Sequence, residues 1–186
     1  MKKRVLIPLA HEIEEMETII VSDLLTLAGA EIIFASVEET LEVTAARGAK
    51  LVASQKIEDC ADDQFDLIFC AGGMTGAEHL RDSKILIQLL KAQKNSGRWF
   101  SAICASPSVV LAQNGLLEGY KATCYPAPAL IARLPDQSEV KKSVVVDRNC
   151  ITSQAPGTTI LLALKLVESL FDKKTADQIA KNTLIQ

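Results

Sequence analysis

Runs of mostly apolar residues alternate with segments of helical periodicity along this chain. Val5 to Leu9, Glu31 to Val37 and Phe65 to Ala71 are apolar at most positions, which is typical of strands buried on both faces of a parallel sheet. Glu14 to Ala28 is amphipathic at helical spacing and ends at Gly29, a residue that commonly terminates helices. The alternation predicts an α/β fold: a three-layer sandwich whose mostly parallel sheet carries helices on both faces.

The rest of the chain continues this pattern. Leu41 to Ala53 alternates around Arg47-Gly48 and predicts a short hairpin. Ser83 to Asn95 predicts a helix capped by Ser83, and Gly97 leads into an apolar strand that reaches Cys104. The further expected elements are a helix from Pro107 to Asn114-Gly115, a short strand at Lys121 to Cys124, one strand from Ser143 to Thr152, a long helix reaching Phe171 and a last helix from Lys173 to Leu184.

Composition narrows the class of protein. The chain has 186 residues, of which 48% are hydrophobic and 23% charged, and this length and apolar content predict a single domain over residues 1–186. Its 20 basic and 23 acidic residues give a net charge of -3, which disfavours dedicated nucleic-acid binding. No apolar stretch is long enough to span a bilayer, and the start resembles a first strand rather than a signal peptide, so we expect no membrane association.

Five cysteines are scattered along the chain without a Cys-x-x-Cys pair. An odd, dispersed set argues for free thiols in a reducing compartment, hence a cytoplasmic location, rather than for disulfides or a zinc site. Cys60, Cys70 and Cys150 are expected to fill core or surface positions. Cys124 could pair with Cys104 or with its copy in a second subunit.

Cys104 is the main candidate for chemistry, because a buried strand meets the start of a helix at this residue. Its sulfur is expected above the carboxyl end of the strand, near unpaired N–H groups and the positive end of the helix dipole. These favour the thiolate, the reactive form of cysteine. The arrangement is a cysteine counterpart of the nucleophile elbow. The simpler interpretation is a small buried hydrophobic residue that closes a core strand.

In a parallel sheet, ligands bind beyond the carboxyl ends of the strands. The residues that this rule gathers around Cys104 include His11, Gly72, Gly73, Tyr125, Pro126 and Pro156. Successive glycine N–H groups can form an anion nest, and Gly72 is a candidate oxyanion donor. A tight turn without chemistry also explains the glycine pair, and an exposed loop position also explains His11.

Glu17 differs from the other acidic residues at the start of the first helix. It lies on another helix face than Glu15, so it could point toward the strand ends. Burial near Cys104 would raise its pKa and let it serve as acid and base; a solvated surface glutamate is the alternative. No Cys-His pair is evident, since Ala105 follows Cys104 directly.

Five ordered motifs together carry a resemblance. They are Glu14-Glu15-Met16-Glu17-Thr18, Arg47-Gly48, Ala71-Gly72-Gly73-x-x-Gly76-Ala77, Ala102-Ile103-Cys104-Ala105-x-Pro107 and Thr152-Ser153-Gln154-x-Pro156-Gly157-Thr158. With these motifs the chain resembles the ThiJ/PfpI superfamily, on the branch that includes the parkinsonism-associated protein deglycase and bacterial YajL. The resemblance spans almost the whole chain.

The resemblance implies a flavodoxin-like sandwich, usually a homodimer, with Cys104 as the reactive and readily oxidised cysteine. Glu17 would be its protonated partner, and Gly73 and Ala105 would offer N–H groups to the sulfur. Members of this branch are described as cofactor-free glyoxalases, as deglycases acting on glycated amines and thiols, and as oxidation-responsive chaperones. The implied substrates are small aldehydes such as methylglyoxal, with no metal or cofactor. The alternative function is an oxidative-stress sensor in which Cys104 becomes a sulfinic acid.

Two positions depart from the resemblance. Tyr125 stands before Pro126 where many relatives have a histidine, which removes a possible proton shuttle and leaves more acid-base work to Glu17. Ala105 replaces the histidine of the protease-like relatives, which argues against proteolysis. Arg47 could bridge two subunits of a dimer or simply be a solvated hairpin residue.

Overall fold

The computed structural model describes residues 2–185 and is built around a seven-stranded sheet. The strands are β1 Arg4–Leu9, β2 Glu31–Ser36, β3 Glu42–Thr44, β4 Lys50–Val52, β5 Gln55–Lys56, β6 Leu67–Cys70, β7 Trp99–Ile103, β8 Val144–Asp147 and β9 Cys150–Ser153. The order in the large sheet is β5-β2-β1-β6-β7-β9-β8. All pairs in it are parallel except β8 with β9. The predicted mostly parallel sheet is confirmed.

Helices pack in two groups around the sheet. They are α1 Glu15–Leu27, α2 Met74–Asp82, α3 Lys84–Ser96, α4 Pro128–Ile131, α5 Thr159–Leu170 and α6 Lys173–Asn182. Helix α1 packs against α5, which also contacts α6, whereas α2 packs with α3 and with a π-helical segment, Pro107–Ala112. The three-layer sandwich is confirmed. Within residues 2–185, no helix has both the length and the apolar character needed to cross a membrane.

The local signals for α3 and for the hairpin are also confirmed. Ser83 accepts a hydrogen bond from the backbone N–H of Leu86 at 3.4 Å and caps α3. Strands β3 and β4 form a separate two-stranded sheet, and Gly48 has a φ of +92° in the turn between them. Glycine adopts this left-handed conformation without the steric cost that a side chain would add.

The register of the parallel strands brings their carboxyl ends to one edge. Cys70 pairs with Ala102, and Ile103 pairs with Ser153. The chain therefore leaves β6, β7 and β9 at neighbouring points, and the segments after these strands meet above the sheet. This edge is where ligands of open α/β sheets bind.

The single strand predicted from Ser143 to Thr152 is wrong. The chain instead forms an antiparallel hairpin in which Asp147 pairs with Cys150. Arg148 makes the turn with a φ of +51°, a conformation uncommon for a residue other than glycine. The turn therefore lacked the glycine that normally marks it in a sequence.

The strand predicted at Lys121 to Cys124 is also wrong, since only an isolated bridge joins Lys121 to Asp136. The extended chain there is paired through side chains. The N–H of Thr123 donates to the hydroxyl of Thr152 at 2.9 Å, and the hydroxyl of Thr123 donates to the Val140 carbonyl at 2.7 Å. Buried polar groups are satisfied in this way without a backbone ladder.

Candidate active site

Cys104 stands at a sharp corner directly after β7. Its φ is +63°, in the left-handed region that few residues with a side chain adopt. The N–H of Cys104 donates to the Ser153 carbonyl at 3.1 Å, and its carbonyl accepts from the N–H of Tyr125 at 2.8 Å. The corner is therefore held on both sides. As the sequence predicted, the sulfur is carried above the carboxyl edge of the sheet.

Glu17 lies in the first turn of α1 and has no solvent exposure. Its Oε2 accepts a 2.6 Å hydrogen bond from the N–H of Gly72. Its Oε1 is buried and has no hydrogen-bond partner among residues 2–185. Burial, with a smaller contribution from the charge of Glu14, raises the pKa of Glu17 to about 7. The Gly72 N–H and an interaction with Cys104 lower this pKa and offset part of the rise.

Glu17 and Cys104 both pack against Gly72. A Cβ at this position would lie 2.5 Å from Cys104 Cβ, 2.8 Å from Glu17 Oε2 and 3.1 Å from Cys104 Sγ. Glu17 and Cys104 therefore contact the same glycine, as the Glu17 prediction required. The N–H of Gly72 is already used by Glu17. The expectation that Gly72 serves as an oxyanion donor is corrected for this reason.

Opposing effects act on the Cys104 thiol. Burial and then the negative charge of Glu17 raise its pKa to about 12, while the N–H groups of Gly73 and Ala105 lower it. Burial and an ionised Glu17 therefore oppose the thiolate that the corner was expected to favour. Ionisation of the sulfur is favoured only when Glu17 carries the proton, because a neutral carboxyl no longer repels the thiolate.

Two cavities meet at Cys104, and Met74 and Tyr125 also line both. A polar cavity of about 400 Å³ is lined in addition by Glu12, Glu14, Arg47, Gly73, Thr75 and Pro156, among others. An apolar cavity of about 380 Å³ is lined in addition by Ala105, Ala127, Ala129, Leu130 and Arg133. A small molecule can thus reach the sulfur from a polar side and from an apolar side.

This arrangement of a corner cysteine, a buried glutamate and a glycine pair accompanies a match to a known family over most of the chain. The sequence model of the DJ-1/PfpI family matches residues 3–169. The chain belongs to the DJ-1/PfpI family. The ThiJ/PfpI resemblance predicted from the five motifs is confirmed.

Several relatives of the DJ-1/PfpI chain cover it almost completely. Protein DJ-1 homolog B of Arabidopsis thaliana is 40% identical over 182 residues, which are 98% of this chain and 41% of that protein. Glutathione-independent glyoxalase DJR-1.2 of Caenorhabditis elegans is 32% identical over 171 residues, 92% of this chain and 90% of the relative. Oxidised DJ-1 of Toxoplasma gondii has a TM-score of 0.93 at 41% identity, covering 98% of each chain. The chain spans less than half the length of the two Arabidopsis relatives it matches.

Not every predicted cleft residue lies at this DJ-1/PfpI site. Tyr125 and Pro156 line the polar cavity, but His11 is outside the lining of both cavities. Its Nδ1 accepts from the N–H of Thr44 at 3.0 Å, and its backbone N–H donates to Glu38 at 3.0 Å. His11 therefore braces the hairpin, and its expected place in the cleft is corrected.

Pro126 is likewise exposed and outside the lining of both cavities, which corrects that prediction. The sequence analysis missed Met74 and Arg133. Met74 is the first residue of α2 after the glycine pair, a position from which it could have been found. Arg133 follows a four-residue helix that no sequence pattern indicated. Among residues 2–185, no cluster of three or more His, Cys, Asp or Glu side chains is arranged to hold a metal ion.

Proposed function

We propose that this chain is a cofactor-independent glyoxalase of the deglycase type, acting on methylglyoxal, glyoxal or their adducts with amines and thiols. The observation that carries the proposal is the position of a buried carboxyl group and a cavity-lining sulfur against one glycine, Gly72. The name of the nematode relative, a glutathione-independent glyoxalase, supports it. A sulfur that adds to a carbonyl and an acid titrating near neutrality together supply what proton transfer between adjacent carbons needs.

Glu17 and Cys104 act as one titrating unit in this proposal. Below the raised pKa of Glu17, about 7, the pair holds two protons, and above it the pair holds one. In the reactive form that proton is on Glu17 and the sulfur is ionised. The N–H groups of Gly73 and Ala105, which lower the pKa of Cys104, stabilise the thiolate.

The first step joins the sulfur to the aldehyde carbon of methylglyoxal. As the carbon–sulfur bond forms, Glu17 donates its proton to the aldehyde oxygen, which gives a neutral hemithioacetal and a Glu17 carboxylate. The N–H groups of Gly73 and Ala105 stabilise the oxygen while its charge develops. The aldehyde is then covalently held next to the base.

Glu17 next moves the hydrogen of that carbon, as a proton, to the neighbouring ketone oxygen. The electron pair left behind forms the double bond of an enediol. Transfer of the proton of the other enediol hydroxyl to the neighbouring carbon gives a lactoyl thioester on Cys104, and water cleaves it to lactate and free thiol. One carbon is oxidised while its neighbour is reduced, so the reaction balances without an external oxidant.

Replacement of the sulfur tests the proposal directly. Cys104→Ser should abolish formation of lactate from methylglyoxal, measured enzymatically after treatment with a metal chelator. Cys60→Ser is the matched control, because Cys60 is a buried cysteine outside the lining of both cavities, and it should keep the wild-type rate. Near-normal lactate formation by Cys104→Ser would end the proposal.

A second candidate function is an oxidative-stress sensor or redox-regulated chaperone. Its support is that Cys104 is partly accessible while the other four cysteines are buried. Two equivalents of peroxide would each transfer one oxygen to the sulfur and leave water, giving a sulfinic acid beside Glu17. Selective gain of two oxygens at Cys104 by intact mass, with a negligible glyoxalase rate, would favour this function over the first.

The proposal also includes a homodimer in a reducing compartment such as the cytoplasm. Helices α1 and α5 pack together, and Met16, Ile19 and Leu161 on them are 50%, 46% and 52% exposed. Exposed apolar side chains on two packed helices fit a surface that a second copy of the chain would cover. All five cysteines are free, which fits a reducing compartment. Sedimentation equilibrium of the chain distinguishes dimer from monomer.

A further inference from the structure

The apolar cavity beside Cys104 is larger than a three-carbon aldehyde requires. Its volume of about 380 Å³ lies in the range of about 300–1,000 Å³ that holds drug-sized molecules. Ala127 and Ala129 contribute only methyl groups to its lining. A substrate with a longer apolar segment can therefore lie along this wall with its aldehyde at the sulfur.

One charged side chain, Arg133, lines this otherwise apolar cavity. Its guanidinium makes no ion pair or side-chain hydrogen bond with any residue in the described range 2–185. Arg47 of the polar cavity differs, because its Nη2 lies 3.8 Å from Oε2 of Glu14. Arginine binds carboxylates through a planar, two-pronged set of donors. The unpaired guanidinium of Arg133 is therefore available to an anionic group of a ligand.

The charges of the two cavities orient such a ligand. The polar cavity carries two carboxylates, Glu12 and Glu14, against one guanidinium, Arg47, a net charge of -1. The apolar cavity carries only Arg133, a net charge of +1. A negative tail attached to the reacting aldehyde is thus repelled from the polar cavity and attracted to the apolar one.

We propose that the apolar cavity is a subsite for 2-oxoaldehydes whose apolar chain ends in a carboxylate, and that Arg133 binds that carboxylate. This inference rests on the proposed glyoxalase function and names a substrate class for it. Arg133 is a specificity residue in this assignment, since it does not contact the reacting carbons. The subsite adds recognition at the far end of the substrate while Cys104 and Glu17 act on the aldehyde end.

A pair of substrates of equal shape tests the assignment. 4,5-Dioxopentanoate carries the carboxylate, and 5-methyl-2-oxohexanal replaces it by an isopropyl group. The ratio of their kcat/KM values should be about fivefold higher in the wild type than in Arg133→Met, the effect expected of a solvent-facing ion pair. Arg133→Glu should lower the ratio further. Comparing ratios between variants cancels the intrinsic reactivities of the two aldehydes.

Lys174→Met is the matched control, because it removes one positive charge from an exposed position on α6 outside both cavities. Its ratio should equal that of the wild type. An unchanged ratio in Arg133→Met, or an equal fall in Lys174→Met, would overturn the assignment.

A binding measurement separates failure of the subsite from failure of the glyoxalase function. 2-Hydroxyglutarate, the product expected from 4,5-dioxopentanoate, should protect Cys104 from alkylation by iodoacetamide at about fivefold lower concentration in the wild type than in Arg133→Met. Absence of lactate formation from methylglyoxal would refute the proposed function alone. Protection that is the same in both proteins would refute the subsite whatever the turnover.

Discussion

The backbone N–H of Gly72 lies 2.6 Å from Oε2 of Glu17 and donates a hydrogen bond to it. This bond joins the end of β6 to the first turn of α1 and fixes the carboxyl group against the glycine. Oε1 is left buried without a hydrogen-bond partner among residues 2–185, and Glu17 and Cys104 affect each other's pKa. The acid is therefore positioned by the backbone before any substrate arrives.

Glu17→Gln should separate the two roles of the carboxyl group. The amide can still accept the Gly72 hydrogen bond but cannot carry a proton between carbons, so lactate formation should fall by about 100-fold or more. Loss of the negative charge that raises the pKa of Cys104 should at the same time make alkylation by iodoacetamide faster at pH 8. Retained lactate formation, or a slower alkylation, would contradict the role given to Glu17.

Alkylation of Cys104 should depend on pH through Glu17. The pair loses its first proton near the raised pKa of Glu17, about 7, and thiolate exists only once that proton is gone. The alkylation rate should therefore rise through about pH 7 and rise again at high pH, where the thiol itself ionises. In Glu17→Gln the profile should show one step. A single step in the wild type near the ordinary pKa of a thiol would exclude the coupling.

Stability should also depend on Glu17 in a defined direction. Its pKa is raised on folding from 4.5 to about 7, so the folded protein binds the proton more tightly than the unfolded chain. This contribution is complete below about pH 4.5 and is lost as the pH rises through about 7, on the order of 3 kcal/mol in total. Urea unfolding of wild type and Glu17→Gln between pH 5.5 and 8 measures it. The wild type should lose stability relative to the variant as the pH rises; an opposite trend would contradict the raised pKa.

Gly72→Ala should disrupt the site by steric overlap of the added methyl group with Cys104. Its Cβ would lie 2.5 Å from Cys104 Cβ, and relief of such overpacking typically costs about 1–3 kcal/mol. Glycolate formation from glyoxal should be lost with it, because Glu17 and Cys104 must move apart. Gly157→Ala is the control, since a Cβ there meets no heavy atom within 4 Å, and its urea midpoint should be unchanged. Equal midpoints for the two variants would argue against the tight contact.

The sheet was largely predictable from sequence because buried parallel strands are apolar at successive positions, as β6 shows with four buried residues. The errors fall where that rule does not apply. The turn at Arg148 uses a left-handed conformation without glycine, and the segment around Thr123 is paired by the Thr152 side chain. Neither the turn conformation nor the side-chain hydrogen bond leaves a local pattern in the sequence.

The site was only partly predictable in its members, and its electrostatics were less predictable still. The strand–helix corner and helix periodicity made Cys104 and Glu17 candidates, and the family resemblance singled them out as partners. Glu17 takes the N–H of Gly72, a residue 55 positions away in the sequence. Burial and the charge of Glu17, which is likewise distant in the sequence, raise the pKa of Cys104. Such long-range contacts leave no local pattern in the sequence. Arg133 enters the cavity from a short helix after an irregular segment, where hydrophobic periodicity carries no information.

The left-handed corner at Cys104 is maintained by backbone hydrogen bonds to Ser153 and Tyr125, and the sulfur takes no part in them. The location of the side-chain atom at this corner is consequently set by the backbone and not by that atom's chemical identity. A hydroxyl or an oxidised sulfur at this position would face the same two cavities from the same point. Exchange of this one side chain should therefore change the chemical group that faces the cavities and leave the strands as they are.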